Sequence, residues 1–518
     1  MCPGLSGTPF NMYNMKIKNN IYTGLLFLTA LMPLASCSDD LNELPSQSRV
    51  DGNVVTDVKS AEALLNGVYY SFAQCGTDYY NVKSTRCSKL YEAVPADLAG
   101  TAVYYQGPYM FETHDMTTMT RYSQYLWQAF YKTVDAANAA LKQIGESSDG
   151  MYTNDEKSQL LAQAHGMRAL AYYNILRYFG YSWDVSSPYG VVLRAEPTMA
   201  TSLPAKRVSV ADSYDFIISD LDDCIAHAPA QISNYYFGKY AAEGVKARVL
   251  MMRGQDGDYA EALRLCEDVI ANGGYSLDSY ADIFHKNGLN SPEVIFGIQP
   301  KENQTDVYET YFYRGSAQYF PTDKLLALYD ANNDPRKEQM YMGTPTRMFG
   351  IREDGSYYTY IATKYTICKH LDPATATVNG STTTFQAGTL EESQYQLRLS
   401  EIYLLKAEAE ARLGDLTTAK ADLKAVETKA GITDFSSLDN ANTFEEVMQV
   451  LFDEAVKNLS FECGLEHNYM LRFPSAITTA FNEYYADKAT SVFPIPVSEF
   501  QYNTALTEKD QNPGFSAE

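Results

Sequence analysis

The amino-acid sequence predicts a mainly α protein, built of irregularly stacked helical hairpins that carry a loop-rich face and a few short strands. Apolar residues recur three and four positions apart over most of the chain, the period of one helix face. Tight glycine turns join several of these stripes in pairs. Two long segments, 75–119 and about 295–396, break the period and are rich in Tyr, Thr, Gly, Asn and Asp. With 518 residues, 45% hydrophobic and 20% charged, the chain can bury a large core. Its composition is neither that of a disordered protein nor that of a polytopic membrane protein.

The first stripe, 60–71, carries Ala61, Leu64, Leu65 and Val68. The second spans about 120–144, with Leu126, Phe130, Val134, Ala137 and Leu141 on one face and Trp127 among the core positions. A third helix is expected over 154–179, capped by Asn154 and stopped by Gly180. Further helices are expected over 209–227, 239–253, 258–272, 399–413, 416–429 and 443–459. Two turns look alike. Gly254 and Asp258-Tyr259-Ala260-Glu261-Ala262 follow one helix, and Gly414-Asp415-Leu416 with Ala419-Lys420-Ala421 follows another. Gly at the turn, with Ala where two helices cross closely, is how a tetratricopeptide-like hairpin is built. Short strands are expected at 294–298 and at 375–385 around Asn379-Gly380. Long irregular insertions in a compact domain are usually functional, so the two Tyr-rich segments are where a binding surface is expected.

The amino terminus reads as an address. Lys16 and Lys18 precede an apolar stretch at 21–34 and the small-residue site Leu34-Ala35-Ser36-Cys37. The stretch is too short to cross a bilayer comfortably. The segment resembles the lipobox of bacterial lipoproteins, which implies a signal peptide over 1–36, with the true start at Met15, and lipid attachment at Cys37. Residues 37–46 would be the anchor and tether, and Ser38-Asp39-Asp40-Leu41-Asn42-Glu43 resembles the surface-export signal of Bacteroidetes lipoproteins. Residues 47–518 are expected to form a single domain. Losing 1–36 removes two lysines and no acid, so a formal charge of −23 becomes −25.

That charge would repel nucleic acid and anionic lipid headgroups. Cys75, Cys87, Cys224, Cys266, Cys368 and Cys463 show no zinc-like spacing. A Cys75–Cys87 bond and buried single thiols both fit them. The six histidines are scattered, so no metal site is expected, and no cofactor motif is present. No nucleophile elbow, P-loop or H-E-x-x-H motif occurs, and Asp222-Asp223 reads as a solvated helix face rather than a glycosidase pair. No enzyme is expected.

Three stretches carry a wider resemblance. They are Phe493-Pro494-Ile495-Pro496-Val497-Ser498-Glu499 with Asn503, Leu506 and Gln511-Asn512-Pro513-Gly514-Phe515; Arg168-Ala169, Tyr172, Leu176-Arg177 and Phe179-Gly180; and Arg398, Glu401, Leu404 and Ala407-Glu408-Ala409. Together they resemble the SusD/RagB family of Bacteroidetes outer-membrane lipoproteins. One departure lies where that family has an E-R pair and then F-E-G-x-R. Here Ala455 follows Glu454, and Phe461-Glu462-Cys463-Gly464 runs into Leu465. The resemblance implies a surface-exposed, lipid-anchored protein that captures oligosaccharides and delivers them to a partner TonB-dependent (SusC-like) transporter. A RagB-like peptide binder and a structural helical scaffold are the alternatives.

A sugar ring offers an apolar C–H face and a rim of hydroxyls, so its site needs flat aromatic rings beside polar groups. With 42 Tyr against 2 Trp, the candidates are mostly tyrosines. They are Tyr79, Tyr80, Tyr104, Tyr105 and Tyr109 with Asp78 and Asn81, then Tyr308, Tyr311 and Tyr313 with Arg314, and Trp183 in the loop after the third helix. Alternating Tyr is also how a half-buried strand looks.

Overall fold

The computed structural model describes residues 54–77, 83–85, 92–104, 110–199, 204–298, 312–313, 316–317, 319–352, 354–369, 377–379, 382–384 and 394–517. Its helices, in chain order, are α1 Val58–Ala73, α2 Ala93–Ala99, α3 Arg121–Glu146, α4 Glu156–Phe179, α5 Val210–His227, α6 Lys239–Arg253 and α7 Asp258–Asn272. They continue as α8 Tyr280–Asp282, α9 Asp323–Asp330, α10 Arg336–Met340, α11 Leu399–Leu413, α12 Leu416–Lys429, α13 Ser436–Asn440, α14 Phe444–Leu459, α15 Leu465–Arg472, α16 Ser475–Phe481 and α17 Val497–Tyr502.

The long helices form where the apolar period sets them, and side-chain caps fix several starts. Ser209 accepts from the Asp212 amide ahead of α5, and Thr443 and Glu446 make a reciprocal capping box on α14. The expected cap of α4 differs. Asn154 sits at φ 48°, outside the helix, and the Glu156 carboxylate reaches back to the Thr153 amide at 2.7 Å. The helices then stack in sequence. α1 lies on α3, α3 on α4, α4 on α5, α5 on α6, α6 on α7, α7 on α11, and α11 on both α12 and α14. Gly254 (φ 59°) and Gly414 (φ 94°) turn the two matching hairpins through the left-handed region that favours glycine. Ala262 and Ala419 are fully buried where their helices cross.

The resembled motifs turn out to be ties between distant parts. Asn512 donates to the carbonyls of Phe179 and Phe493, and Gln511 brackets the Ile495 backbone. Glu499 accepts from Trp127 Nε1 and from Arg194, so the buried Trp127 is a core residue with its one donor satisfied. Arg168 grips Asp220, Arg248 grips Glu401, and Arg472 grips Glu408. Arg398 bonds Glu293, Glu462 and Asn458, while Lys369 bonds Glu462. At the departure, Glu454 finds its partner in Arg336. Cys463 stands where the resembled pattern has glycine, and its φ of 53° shows why glycine suits that position. Cys224, Cys266, Cys368 and Cys463 are buried free thiols. Cys75 and Cys87 carry no described side chain.

Among the described residues the strands pair as antiparallel two-stranded ribbons. They are β1 Gln74–Thr77 with β2 Lys83–Thr85, β3 Ala102–Tyr104 with β7 Tyr319–Pro321, β4 Val294–Ile298 with β12 Gln394–Arg398, and β5 Phe312–Tyr313 with β6 Ser316–Ala317. The others are β8 Tyr341–Ile351 with β9 Tyr357–Ile367, and β10 Thr377–Asn379 with β11 Thr382–Thr384. β4 and the β10–β11 hairpin lie where the sequence expects them.

Glu92, just before α2, ties this region to β12 by accepting from Gln394 Nε2 at 2.7 Å. Burial, then the nearby Glu466, pushes its carboxyl up to about 8. The unfolded chain releases this proton near 4.5, whereas the folded protein holds it towards pH 8, so this group's contribution to stability declines as pH rises between those values. Glu92→Gln imitates the neutral acid and is expected to remove about 3 kcal/mol of that decline. Thermal melts across pH 5 to 8 check it, and equal slopes for both proteins would count against a protonated Glu92.

Candidate functional site

The most exposed aromatic display among the described residues is built on two ribbons. β3 and β7 set Tyr104 opposite Tyr319 and Val103 opposite Phe320. The period of two puts Tyr104 and Tyr319 on one face and Phe320 on the other. Tyr319 is buried and Tyr104 half-buried, their ring centroids 5.3 Å apart. The turn that leads out of this ribbon is pinned, because Thr322 Oγ1 donates to the Gly100 carbonyl. Asn482 Nδ2 donates to Leu98, and Lys324 Nζ to Phe481. The same corner holds Tyr484, 38% exposed, stacked on His114 at 4.6 Å.

The second ribbon, β8–β9, is anchored at its base by the buried Tyr341 and Ile367. Its distal half stands out from the body. Tyr357 is 71% exposed, Tyr358 40%, Tyr360 43% and Ile361 66%. The tip closes through the Arg352 amide bonded to the Ser356 carbonyl at 2.8 Å, with Gly355 at φ 80°. Asp354 accepts from the Ser356 amide. One face of β9 carries Tyr358, Tyr360, Ala362 and Lys364, a run of about 20 Å at 3.3 Å per residue. Tyr358 and Tyr360 lie 5.7 Å apart with planes inclined by 32°. Gly350 opposes Tyr358 in the ladder.

A cation sits at each end of this run. The Arg352 guanidinium lies 5.1 Å from the Tyr358 centroid, and Lys364 Nζ lies 3.6 Å from that of Phe320, which joins β9 to the first ribbon. Burial pulls the Lys364 ammonium below its usual range. Among the described residues neither cation has a carboxylate partner. Lys337, by contrast, is held by Asp330 at 2.6 Å beside Tyr365.

Ser491 Oγ lies 3.0 Å from His114 Nδ1, and Nε2 donates to the Leu98 carbonyl, the tautomer that leaves Nδ1 as acceptor. Ser491 is fully buried. His165, Asp220 and Asp223 each bring a donor atom within 4.8 Å of the others. Arg168 already bonds both Asp220 oxygens, and a metal cation would meet its fixed charge.

Of the residues singled out in the sequence, Tyr104 belongs to the first ribbon. Trp183 is half-buried in a separate cluster, stacked on Tyr181 at 4.9 Å. Tyr313 pairs with Ser316 in β5–β6. Cys37, Asp78, Tyr79, Tyr80, Asn81, Tyr105, Tyr109, Tyr308, Tyr311 and Arg314 lie outside the described residues. Sequence reasoning missed the β8–β9 display. Its signal was a β-branched and aromatic run, Tyr357-Tyr358-Thr359-Tyr360-Ile361, preceded by Asp354-Gly355.

Fold and surface together define a helical-repeat scaffold that displays aromatic rings. A sequence family described as "Starch-binding associating with outer membrane" matches residues 43–251, and the SusD family matches residues 283–466. A SusD-like protein of Bacteroides ovatus is 24% identical over 473 residues, 86% of this chain and 80% of the relative. The crystal structure of a SusD superfamily protein from Bacteroides thetaiotaomicron superposes with a TM-score of 0.69 at 20% identity, covering 88% of this chain and all of that one. A laminarin-binding SusD-like protein superposes with a TM-score of 0.64 at 19% identity, over 89% of this chain and 100% of its own. The chain belongs to the SusD/RagB family. Among the described residues, no helix is long and apolar enough to cross a membrane.

Proposed function

We propose that this protein is a cell-surface lipoprotein that captures oligosaccharides and passes them, unchanged, to a TonB-dependent outer-membrane transporter. The observation that carries the reading is the exposed Tyr358–Tyr360 pair on one face of a ribbon whose Lys364 lies over half-buried Phe320. Such rings stack on the C–H faces of sugars, and the laminarin-binding neighbour supports a carbohydrate ligand. Cys37 is the proposed lipid attachment, residues 1–36 the removed leader, and 47–518 the single working domain. Lipid tethering beside the pore would supply local concentration to a weak binder. Tyr79, Tyr80, Tyr105, Tyr109, Tyr308, Tyr311 and Tyr313, with Asp78, Asn81, Arg314 and Trp183, are proposed as further contacts. The edges of the β8–β9 ribbon, which pair with no further strand among the described residues, favour a second reading, in which an extended peptide adds a strand there.

Affinity electrophoresis and calorimetry against plant and host glycans, then peptides, separate the two readings. Tyr358→Ala with Tyr360→Ala is expected to weaken glycan binding about tenfold, at roughly 0.5–1 kcal/mol per ring, without moving the melting temperature. Unchanged binding would remove this face from the site. Metabolic labelling with palmitate should mark the wild type and not Cys37→Ser.

A further inference from the structure

Resting on the glycan reading, we propose that the β9 face is a track for an acidic glycan, whose carboxylate or sulfate groups are met by Lys364 and Arg352. The chain carries a formal charge of −23, which repels such a ligand at long range. At physiological ionic strength the screening length is only about 8 Å, so cations beside the bound sugar outweigh distant acids. Five arginines of the helical body cannot serve. Arg168, Arg248, Arg336, Arg398 and Arg472 are all spent on buried carboxylates. Among the described residues, Arg352 and Lys364 bond no carboxylate.

Their placement adds the second part of the argument. Arg352 is exposed at the tip and Lys364 half-buried at the base, with Tyr358, Tyr360 and the small Ala362 between them. Each cation is held over an aromatic face, which limits its freedom without neutralising it. The described carboxylate of the hairpin tip, Asp354, is turned to the Ser356 amide. Two cations without a carboxylate partner among the described residues, spaced along an aromatic run, suit a polymer with repeated negative groups better than a single sugar or a neutral chain. The register sets Met348 opposite Tyr360, Thr346 opposite Ala362 and Thr344 opposite Lys364.

Calorimetry of the purified protein with oligogalacturonate, a sulfated galactan oligosaccharide and a neutral β-glucan oligosaccharide tests this. At least one acidic probe is expected to bind about tenfold tighter than the neutral one, with affinity falling as salt is added. Lys364→Gln and Arg352→Gln should each cost the acidic probe several-fold and leave the neutral probe unmoved, at unchanged melting temperature. Binding of the neutral glycan with refusal of both acidic ones would overturn the inference and leave glycan capture standing. Acidic binding that neither variant weakens would overturn the placement. Failure of all three sugars beside capture of peptides would overturn the glycan reading itself.

Discussion

Arg336→Ala is expected to lower stability by about 4 kcal/mol, because it leaves buried negative charge without its main partner. Arg336 has no exposed surface, nor do Asp334 and Glu454, whose carboxylates it bonds at 2.6 and 2.7 Å. Lys457 completes the group, 3.2 Å from Asp334 and 3.4 Å from Glu454. The four charges sum to zero, and removing the arginine leaves one uncompensated anion in a dry site. Removing a matched pair keeps the sum at zero. Arg336→Met with Glu454→Met should therefore recover most of the loss, with Asp334 and Lys457 still facing each other. Chemical denaturation of the wild type, Arg336→Met, Glu454→Met and the double variant closes the cycle. If the double variant is as weak as the sum of the singles, the charge account fails.

This group also explains what could be read in the sequence and what could not. Helices such as α5, α7 and α14 were legible because apolar positions on one face repeat three and four apart against a solvated side, and Ser209 and Thr443 mark their starts. α15 was not legible. Its Glu466, His467 and Asn468 are buried, so polar residues occupy core positions and erase the stripe. They can be buried because the surrounding structure receives them. The Phe461 amide donates to Glu466, and His467 Nδ1 meets Tyr485 OH at 2.6 Å. Arg336 is of the same kind, since nothing local to it announces a partner 118 positions away.

The site was legible as composition and location, less so as geometry. Tyr-rich segments within 295–396 did mark the region that holds β8 and β9. Alternation by two says that a strand has two faces, not which of them meets the body. On distal β9 neither does, as the exposure of both Tyr357 and Tyr358 shows. For Tyr104 the answer depended on β7, more than two hundred residues away, whose Tyr319 takes up the inner face.

Gly464→Ala is the second large loss expected, about 3 kcal/mol, and it strikes the joint that supports the candidate site. Gly464 precedes α15 at φ 65°, where a side chain alone costs about 1 kcal/mol. An added Cβ would collide with the Tyr178 hydroxyl and stand 2.7 Å from Pro95 Cβ. Tyr178 cannot swing away easily, because its ring is stacked on His467 and Phe493 and is fully buried. Overpacking of this kind costs roughly 1–3 kcal/mol. Pro95 lies in α2, which feeds directly into β3 and Tyr104, so a shift there reaches the aromatic display. The remedy follows from the same geometry. The Tyr178 hydroxyl has no hydrogen-bond partner among the described residues, so Tyr178→Phe alone should cost little. It removes the nearest clashing atom, and Gly464→Ala with Tyr178→Phe should regain roughly 1–2 kcal/mol of the loss. Thermal melts of the four proteins decide it. Strict additivity would mean that the damage comes from the backbone angle and Pro95, not from the tyrosine.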